Sequence, residues 1–178
     1  MTHGPRLAQR RVGRAFRRRT YRGPADFLND IRFMIGSRSL LKQALQSGEI
    51  SFGFRERLMM VVTEVNGCRY CSHYHSGQSL KAGLSIDELR SLLAGHIPED
   101  SPAEEVPALV YAQHWAETNA RPDVEAVRSL VETYHEGKAS LIHAILRMIR
   151  AGNLIGNTWD YFLNRLSFGR LGLTAKDS

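Results

Sequence analysis

The chain of 178 residues is 43% hydrophobic and 24% charged, a composition typical of one soluble globular domain. Its apolar runs are shorter than the roughly 18 to 20 residues that a membrane-spanning helix needs, so no membrane partner is expected. The residues near the start include no apolar run of the kind found in secretion signals, and two cysteines without such a signal suggest a reducing compartment. We therefore expect a cytoplasmic protein.

The net charge of +6 comes from the N-terminal end of the chain. Residues 1–24 carry eight arginines and no acid, so the other 154 residues carry −2, the difference between +6 and +8. This asymmetry predicts a basic N-terminal arm over residues 1–24 and one helical domain over residues 25–178. An arginine-rich arm can bind nucleic acid or serve in targeting. We favour a solvated tail and do not expect a nucleic-acid partner.

Helical periodicity and helix-capping residues recur after the arm. Capping boxes at Ser85-Ile86-Asp87-Glu88 and Ser101-Pro102-Ala103-Glu104 begin two of the helices. No segment shows the alternation of a strand, and no glycine-rich nucleotide-binding motif is present. The sequence therefore predicts an all-α bundle of about six to eight helices. In chain order, the patterns place helices near residues 25–34, 37–46, 51–66, 68–83, 85–95, 101–118, 122–137 and 139–166.

Both cysteines lie in one stretch, Glu56–His75. Cys68 and Cys71 are three residues apart and His75 follows Cys71 by four, so on a helix the thiols and the imidazole share one face. Helix amides, an imidazole and a second thiol can all lower the pKa of a cysteine. Such a pair can also close into a disulfide after one thiol is oxidised. These rules leave open which cysteine is the nucleophile.

The spacing around the pair resembles the signature of the alkylhydroperoxidase D-like (AhpD-like), or carboxymuconolactone decarboxylase-like, family. Glu56, eleven intervening residues, Cys68-Arg69-Tyr70-Cys71, three more residues and His75 carry the resemblance. It is strong over residues 50–95 and weaker over Asn153–Arg165. The resemblance implies an AhpD-like helical bundle that assembles into trimers or hexamers, with no bound cofactor or metal and with a redox-active Cys68–Cys71 disulfide.

The resemblance also implies roles for the site residues. Cys71 would take oxygen from a hydroperoxide, and Cys68 would resolve it, while Glu56 orients His75 in a proton relay. Better-studied relatives carry a second histidine where this chain has Tyr70, an auxiliary candidate that is a poor base at neutral pH. The electron donor would be a small thiol, a lipoyl protein or a thioredoxin-like protein.

Other interpretations of these residues stay open. Glu64 lies four residues before Cys68 and is a second auxiliary candidate, although we expect it, like His73, at the surface. The cysteines and histidines of this stretch could hold a metal, but structural zinc usually takes two ligand pairs and only one is present. A lactone decarboxylase proper is generally without the paired cysteines. A non-catalytic helical oligomer would have thiols of ordinary pKa.

The last predicted helix contributes further candidates. Gly152 and Gly156 interrupt its helical pattern and are expected to be weak points, because glycine lowers helix stability. Asn157 and Asp160 could hold helix ends or line the pocket, and the sequence does not decide between these roles.

Overall fold

The computed structural model describes residues 16–177. This part of the chain contains seven α-helices, one short 3-10 helix and no strand, which confirms the all-α prediction and the predicted number of helices. No helix in it is both long enough and apolar enough to cross a membrane. The helices are α1 (Pro24–Gly36), α2 (Arg38–Gln46), α3 (Phe52–Asn66), α4 (Arg69–Lys81), α5 (Ile86–Leu93), α6 (Val106–Glu117) and α7 (Val124–Leu166), followed by the 3-10 helix Ala175–Asp177.

Helix α3 is the centre of the core. It packs against α4, α5, α6 and α7, and it is completely buried at Leu58 and Val62 on one side and at Met60 on the opposite side. A helix that is apolar around most of its circumference is stable only inside a bundle. The site residue Glu56 lies on this same helix, so the core fixes its position. The partners of α3 in the core include Leu109 and Ala112 of α6 and Ile142, Ile145 and Leu146 of α7.

The turn between α3 and α4 forms as the sequence predicts. Ser51 begins α3, and its hydroxyl accepts a hydrogen bond from the Phe54 N–H at 3.0 Å. Gly67 ends α3 with φ of 70°, a left-handed conformation that favours glycine, and its N–H donates to the Thr63 carbonyl at 2.8 Å. Cys68 follows in an extended conformation as the N-cap of α4. The two thiols therefore lie at the first turn of a helix.

The capping box at Ser85 is confirmed and the one at Ser101 is wrong. The Ser85 hydroxyl accepts from the Glu88 N–H at 3.0 Å, whereas the buried Ser101 hydroxyl has no hydrogen-bond partner among the described residues. Regular helix begins only at Val106. A helix starting near residue 102 would place Pro107 in its interior, where proline lacks an N–H and clashes with the preceding turn. Beginning at Val106 leaves Pro107 in the first turn, where it is tolerated.

Helix α7 contains one break, at His135, where φ is 59° and ψ is 162°. The sequence predicts the break two residues later, at Gly137. The hydroxyl of Tyr134, just before the break, donates to the Glu104 carbonyl at 2.6 Å and ties the first part of α7 to the start of α6. Beyond the break, α7 runs without interruption through Gly152 and Gly156.

Candidate active site

The two thiols lie in contact at the first turn of α4. Their sulfur atoms are 2.8 Å apart and share a hydrogen bond. The Cys68 sulfur also accepts from the Cys71 N–H at 3.3 Å, as the side chain of an N-cap does. Cys68 is completely buried and Cys71 is half-buried, so an incoming molecule meets Cys71 first.

The surroundings of the two thiols shift their pKa values in opposite directions. A hydrogen bond from the Cys71 thiol, aided by backbone N–H groups and the nearby Arg18, lowers the pKa of Cys68 to about 7, although burial opposes the shift. The pKa of Cys71 is raised, because this thiol donates to Cys68, is partly buried and faces the negative charge of Cys68. Backbone N–H groups point at the Cys68 sulfur, so we place the anion of the reduced pair on Cys68.

Glu56 and His75 form the second pair of the site. The Glu56 Oε2 atom lies 2.7 Å from the His75 Nδ1 atom, and the carboxylate is buried with 3% of its residue surface exposed. A carboxylate in this position holds the imidazole in the tautomer that keeps Nδ1 protonated and leaves Nε2 free to exchange a proton. His75 lies one helical turn beyond Cys71 on α4. The structure thus brings a buried acid from α3 to the same helix as the dithiol.

The remaining sequence candidates occupy other places. The Glu64 carboxylate pairs with the Lys176 ammonium at 2.6 Å, and His73 is exposed. The Tyr70 hydroxyl donates to the Asp160 carboxylate at 2.8 Å, which makes it part of a separate polar cluster. No group of three or more histidine, cysteine or acidic side chains in residues 16–177 is arranged to hold a metal ion.

Helix α7 packs against the two thiols, and Gly152 and Gly156 allow its close approach to their sulfur atoms. A Cβ atom added at Gly156 would lie 2.8 Å from the Cys68 sulfur, and one added at Gly152 would lie 4.0 Å from the Cys71 sulfur. Between them, the Asn153 amide donates to the Cys71 sulfur and to the Thr63 hydroxyl. The glycines that interrupt the sequence pattern are therefore contact positions for the dithiol.

A buried cluster of ion pairs lies beside the start of α4. The Arg18 guanidinium is 2.9 Å from a carboxylate oxygen of Asp160 and 2.9 Å from one of Asp177, and no more than 2% of any of these side chains is exposed. The same guanidinium donates to the Gly67 carbonyl at 3.4 Å, in the residue just before Cys68. Asp160 also accepts from Arg69 at 2.7 Å.

The sequence did not predict that Arg18 is buried and paired with two carboxylates. For Arg18, the expectation of a solvated tail is wrong, because buried carboxylates from the far end of the chain neutralise its charge. The rest of the predicted arm includes residues 1–15, which lie outside the described residues. The signal that could have found the cluster is the pair of acids, Asp160 and Asp177, within an otherwise basic C-terminal segment.

One of three comparisons with known proteins found a match. Residues 33–118 match the model of the Carboxymuconolactone decarboxylase family. Comparison with curated proteins and with solved structures found no match. The matched range runs from within α1 to just after α6 and contains Glu56, both cysteines and His75. Over residues 33–118, the chain is therefore similar to the Carboxymuconolactone decarboxylase family.

Proposed function

We propose that the protein is a thiol-dependent peroxidase or disulfide oxidoreductase that reduces hydroperoxides with Cys68 and Cys71. The observation that carries this proposal is the pair of contacting thiols, 2.8 Å apart, with the pKa of one of them lowered to about 7. A thiol with an ordinary pKa is only a few per cent ionised at neutral pH, whereas Cys68 is about half ionised there. The Glu56–His75 pair supports the same chemistry.

In the first step, the Cys71 sulfur attacks the peroxide. The reduced pair shares one proton, and its transfer from Cys71 to Cys68 leaves the anion on the more accessible thiol. This sulfur forms a bond to the terminal peroxide oxygen as the O–O bond breaks. The other proton of the dithiol is held by His75 at Nε2, which donates it to the leaving alkoxide or hydroxide, and Glu56 stabilises the imidazolium form until then. The products are a sulfenic acid on Cys71 and an alcohol or water.

In the second step, Cys68 attacks the Cys71 sulfenic acid. Its low pKa makes Cys68 a ready thiolate once its proton leaves, and the short distance between the sulfurs needs no rearrangement of α4. A Cys68–Cys71 disulfide forms and the hydroxyl leaves as water after protonation. An external dithiol then returns two electrons by thiol–disulfide exchange. We propose a small thiol, a lipoyl protein or a thioredoxin-like protein as this donor.

Single-turnover reaction with hydrogen peroxide and an alkyl hydroperoxide, followed by mass spectrometry, tests the proposal. The wild-type protein should consume one peroxide per dithiol and end as the disulfide. Cys68→Ser should stop at a sulfenic acid on Cys71, and Cys71→Ser should lose rapid peroxide reduction. Full turnover by Cys71→Ser, with loss in Cys68→Ser, would reverse the two roles.

Decarboxylation of a lactone is the second candidate function, because the matching family carries that name. This reaction requires no dithiol. The Cys68→Ser/Cys71→Ser double variant therefore separates the two functions. Loss of a carboxylactone substrate with release of carbon dioxide, at equal rates in the wild type and the double variant, would replace the peroxidase proposal.

We also propose that the protein assembles into a homo-oligomer, as a trimer or hexamer. Large apolar side chains at the end of α7 are more than half exposed in the single chain, namely Trp159, Phe162, Leu166 and, just beyond, Phe168. Exposed apolar patches of this kind usually mark contact surfaces. Sedimentation should give a mass near three or six chains of 20.1 kDa, and a monomer would contradict the proposal.

A further inference from the structure

A large cavity lies on the face of α7 that points away from the cysteines. It has a volume of about 1100 Å³ and lies between the residues just before α1 and the turn after α6. Gly152 and Gly156 approach the thiols, whereas Arg147, Arg150 and Leu154 line this cavity. It is therefore a second concave region, separated from the dithiol by the width of a helix.

The lining of this cavity is strongly cationic. Two acids, Asp26 and Asp30, lie among its lining residues. Asp30 already accepts a hydrogen bond from the Tyr21 hydroxyl at 2.9 Å and lies 3.6 Å from the Arg150 guanidinium. Among the described residues, Arg22 and Arg121 have no carboxylate partner. Five arginines face the cavity, namely Arg19, Arg22, Arg121, Arg147 and Arg150.

These positive charges are incompletely balanced. The pKa of Arg19 is lowered, first by burial and then by repulsion from Arg150, whereas attraction to Glu117 only partly offsets these effects. His143 also faces the cavity and its pKa is lowered by burial and by the charge of Arg147, so it adds no positive charge at neutral pH. An anion in the cavity would relieve the repulsion among the guanidiniums. Residues 1–15 contain no acid and so cannot supply that anion.

A second, apolar groove adjoins the cationic cavity. Its volume is about 450 Å³, and it shares Val127, His143 and Arg147 with the larger cavity. Its walls include Phe33, and the Arg147 guanidinium lies 3.7 Å from the centre of that ring. Leu40, Val131, Ala139 and Ala144 provide most of the remaining apolar surface.

We infer that the joined cavities bind an amphipathic organic anion, with its carboxylate among the arginines and its hydrocarbon tail in the groove. Guanidinium groups suit carboxylates because they can donate two parallel hydrogen bonds. Pockets with an apolar wall and a few polar anchors are the usual form of a small-molecule site. Arg147 lies at the junction and fixes where the head group ends and the tail begins.

Calorimetric titration of the full chain with decanoate tests this inference. The wild type should bind decanoate at one site per chain, and it should bind decanol and inorganic phosphate at least about tenfold more weakly, since each lacks one of the two interactions. Affinity should also rise from hexanoate to decanoate. Equal affinity for decanoate and decanol, or no saturable binding of decanoate, overturns the inference.

Variants locate the site. Arg147→Gln and the unpaired Arg121→Gln should each weaken decanoate binding about tenfold, the usual effect of losing a charge-assisted hydrogen bond. Arg121 is exposed, so its substitution keeps the fold even if Arg147→Gln does not. Arg128→Gln, on the same helix but outside both cavities, should have no effect. An equal loss in Arg128→Gln would show unspecific charge attraction and overturn the site.

The tail position is tested separately. Ser140 is exposed at the groove, and Ser140→Phe should fill it and remove the gain in affinity from hexanoate to decanoate. An unchanged chain-length profile would contradict the placement of the tail. The Cys68→Ser/Cys71→Ser double variant should bind decanoate like the wild type, so the inference stands or falls independently of the proposed peroxidase function.

Discussion

Replacing Gly156 by alanine tests how closely α7 approaches the dithiol. The new Cβ atom would lie 2.8 Å from the Cys68 sulfur and 3.2 Å from the Tyr70 ring. Ordinary contacts are at about 3.5 to 4.0 Å, so α7 and the start of α4 must separate by roughly 1 Å. Overpacking of this kind costs about 1 to 3 kcal/mol, which exceeds the roughly 0.5 to 1 kcal/mol of helix propensity that alanine adds.

The matched control is Gly77→Ala. Gly77 lies on α4, the helix that carries the thiols, but a Cβ atom there meets nothing within 4 Å. Alanine should therefore stabilise the protein by about 0.5 to 1 kcal/mol through helix propensity alone. The two substitutions are chemically identical and should change stability in opposite directions.

Thermal unfolding of both variants under reducing conditions, followed by circular dichroism, measures the effect. At about 2 to 4 °C per kcal/mol for a domain of this size, Gly156→Ala should lower Tm by several degrees and Gly77→Ala should raise it slightly. Gly156→Ala should also slow disulfide formation, because it displaces Cys68. A rise in Tm for Gly156→Ala, equal to that for Gly77→Ala, would refute the close packing of α7 on the thiols.

Three further results follow from the site. Ultraviolet absorbance should show the Cys68 thiolate forming with a midpoint near pH 7, so that the thiolate signal increases above this pH and decreases below it. Cys68→Ala should remove this titration step. Arg18→Ala should lower the free energy of unfolding in urea by about 3 to 5 kcal/mol because it leaves buried carboxylates unpaired, whereas exposed Arg128→Ala should change it by less than about 1 kcal/mol. Glu56→Gln should slow peroxide reduction and shift its pH profile with little change in Tm, and an unaltered profile would exclude the relay through His75.

The sequence predicts those parts of the site that depend on local spacing. Cys68, Cys71 and His75 fall on one helix, so the 3.6-residue period and the predicted helix start at residue 68 were sufficient to bring them together. Glu56 lies on a different helix, and only the family spacing connected it to His75. The structure brings these two side chains to 2.7 Å, although their roles stay predictions.

The parts that the sequence did not predict depend on contacts between distant segments. Nothing local distinguishes Arg18 from the other arginines before residue 25, because its buried partners are about 140 and 160 positions away. Gly152 and Gly156 lowered the local helix propensity, and only the position of α4 shows why a side chain is unsuitable there. The start of α6 was misplaced because the Ser101 pattern competes with Pro107, and the proline determines where the regular helix begins.

The Arg18 cluster has a consequence for how the protein is made. During synthesis, the residues around Cys68 leave the ribosome about a hundred residues before Asp177, and Arg18 cannot make both of its buried ion pairs until that acid is present. Contacts between segments so far apart in sequence form late in folding. The ion pairs beside Cys68 are therefore complete only when both ends of the described chain have docked, so a chain without its last residues would lose one of the two buried carboxylate partners of Arg18.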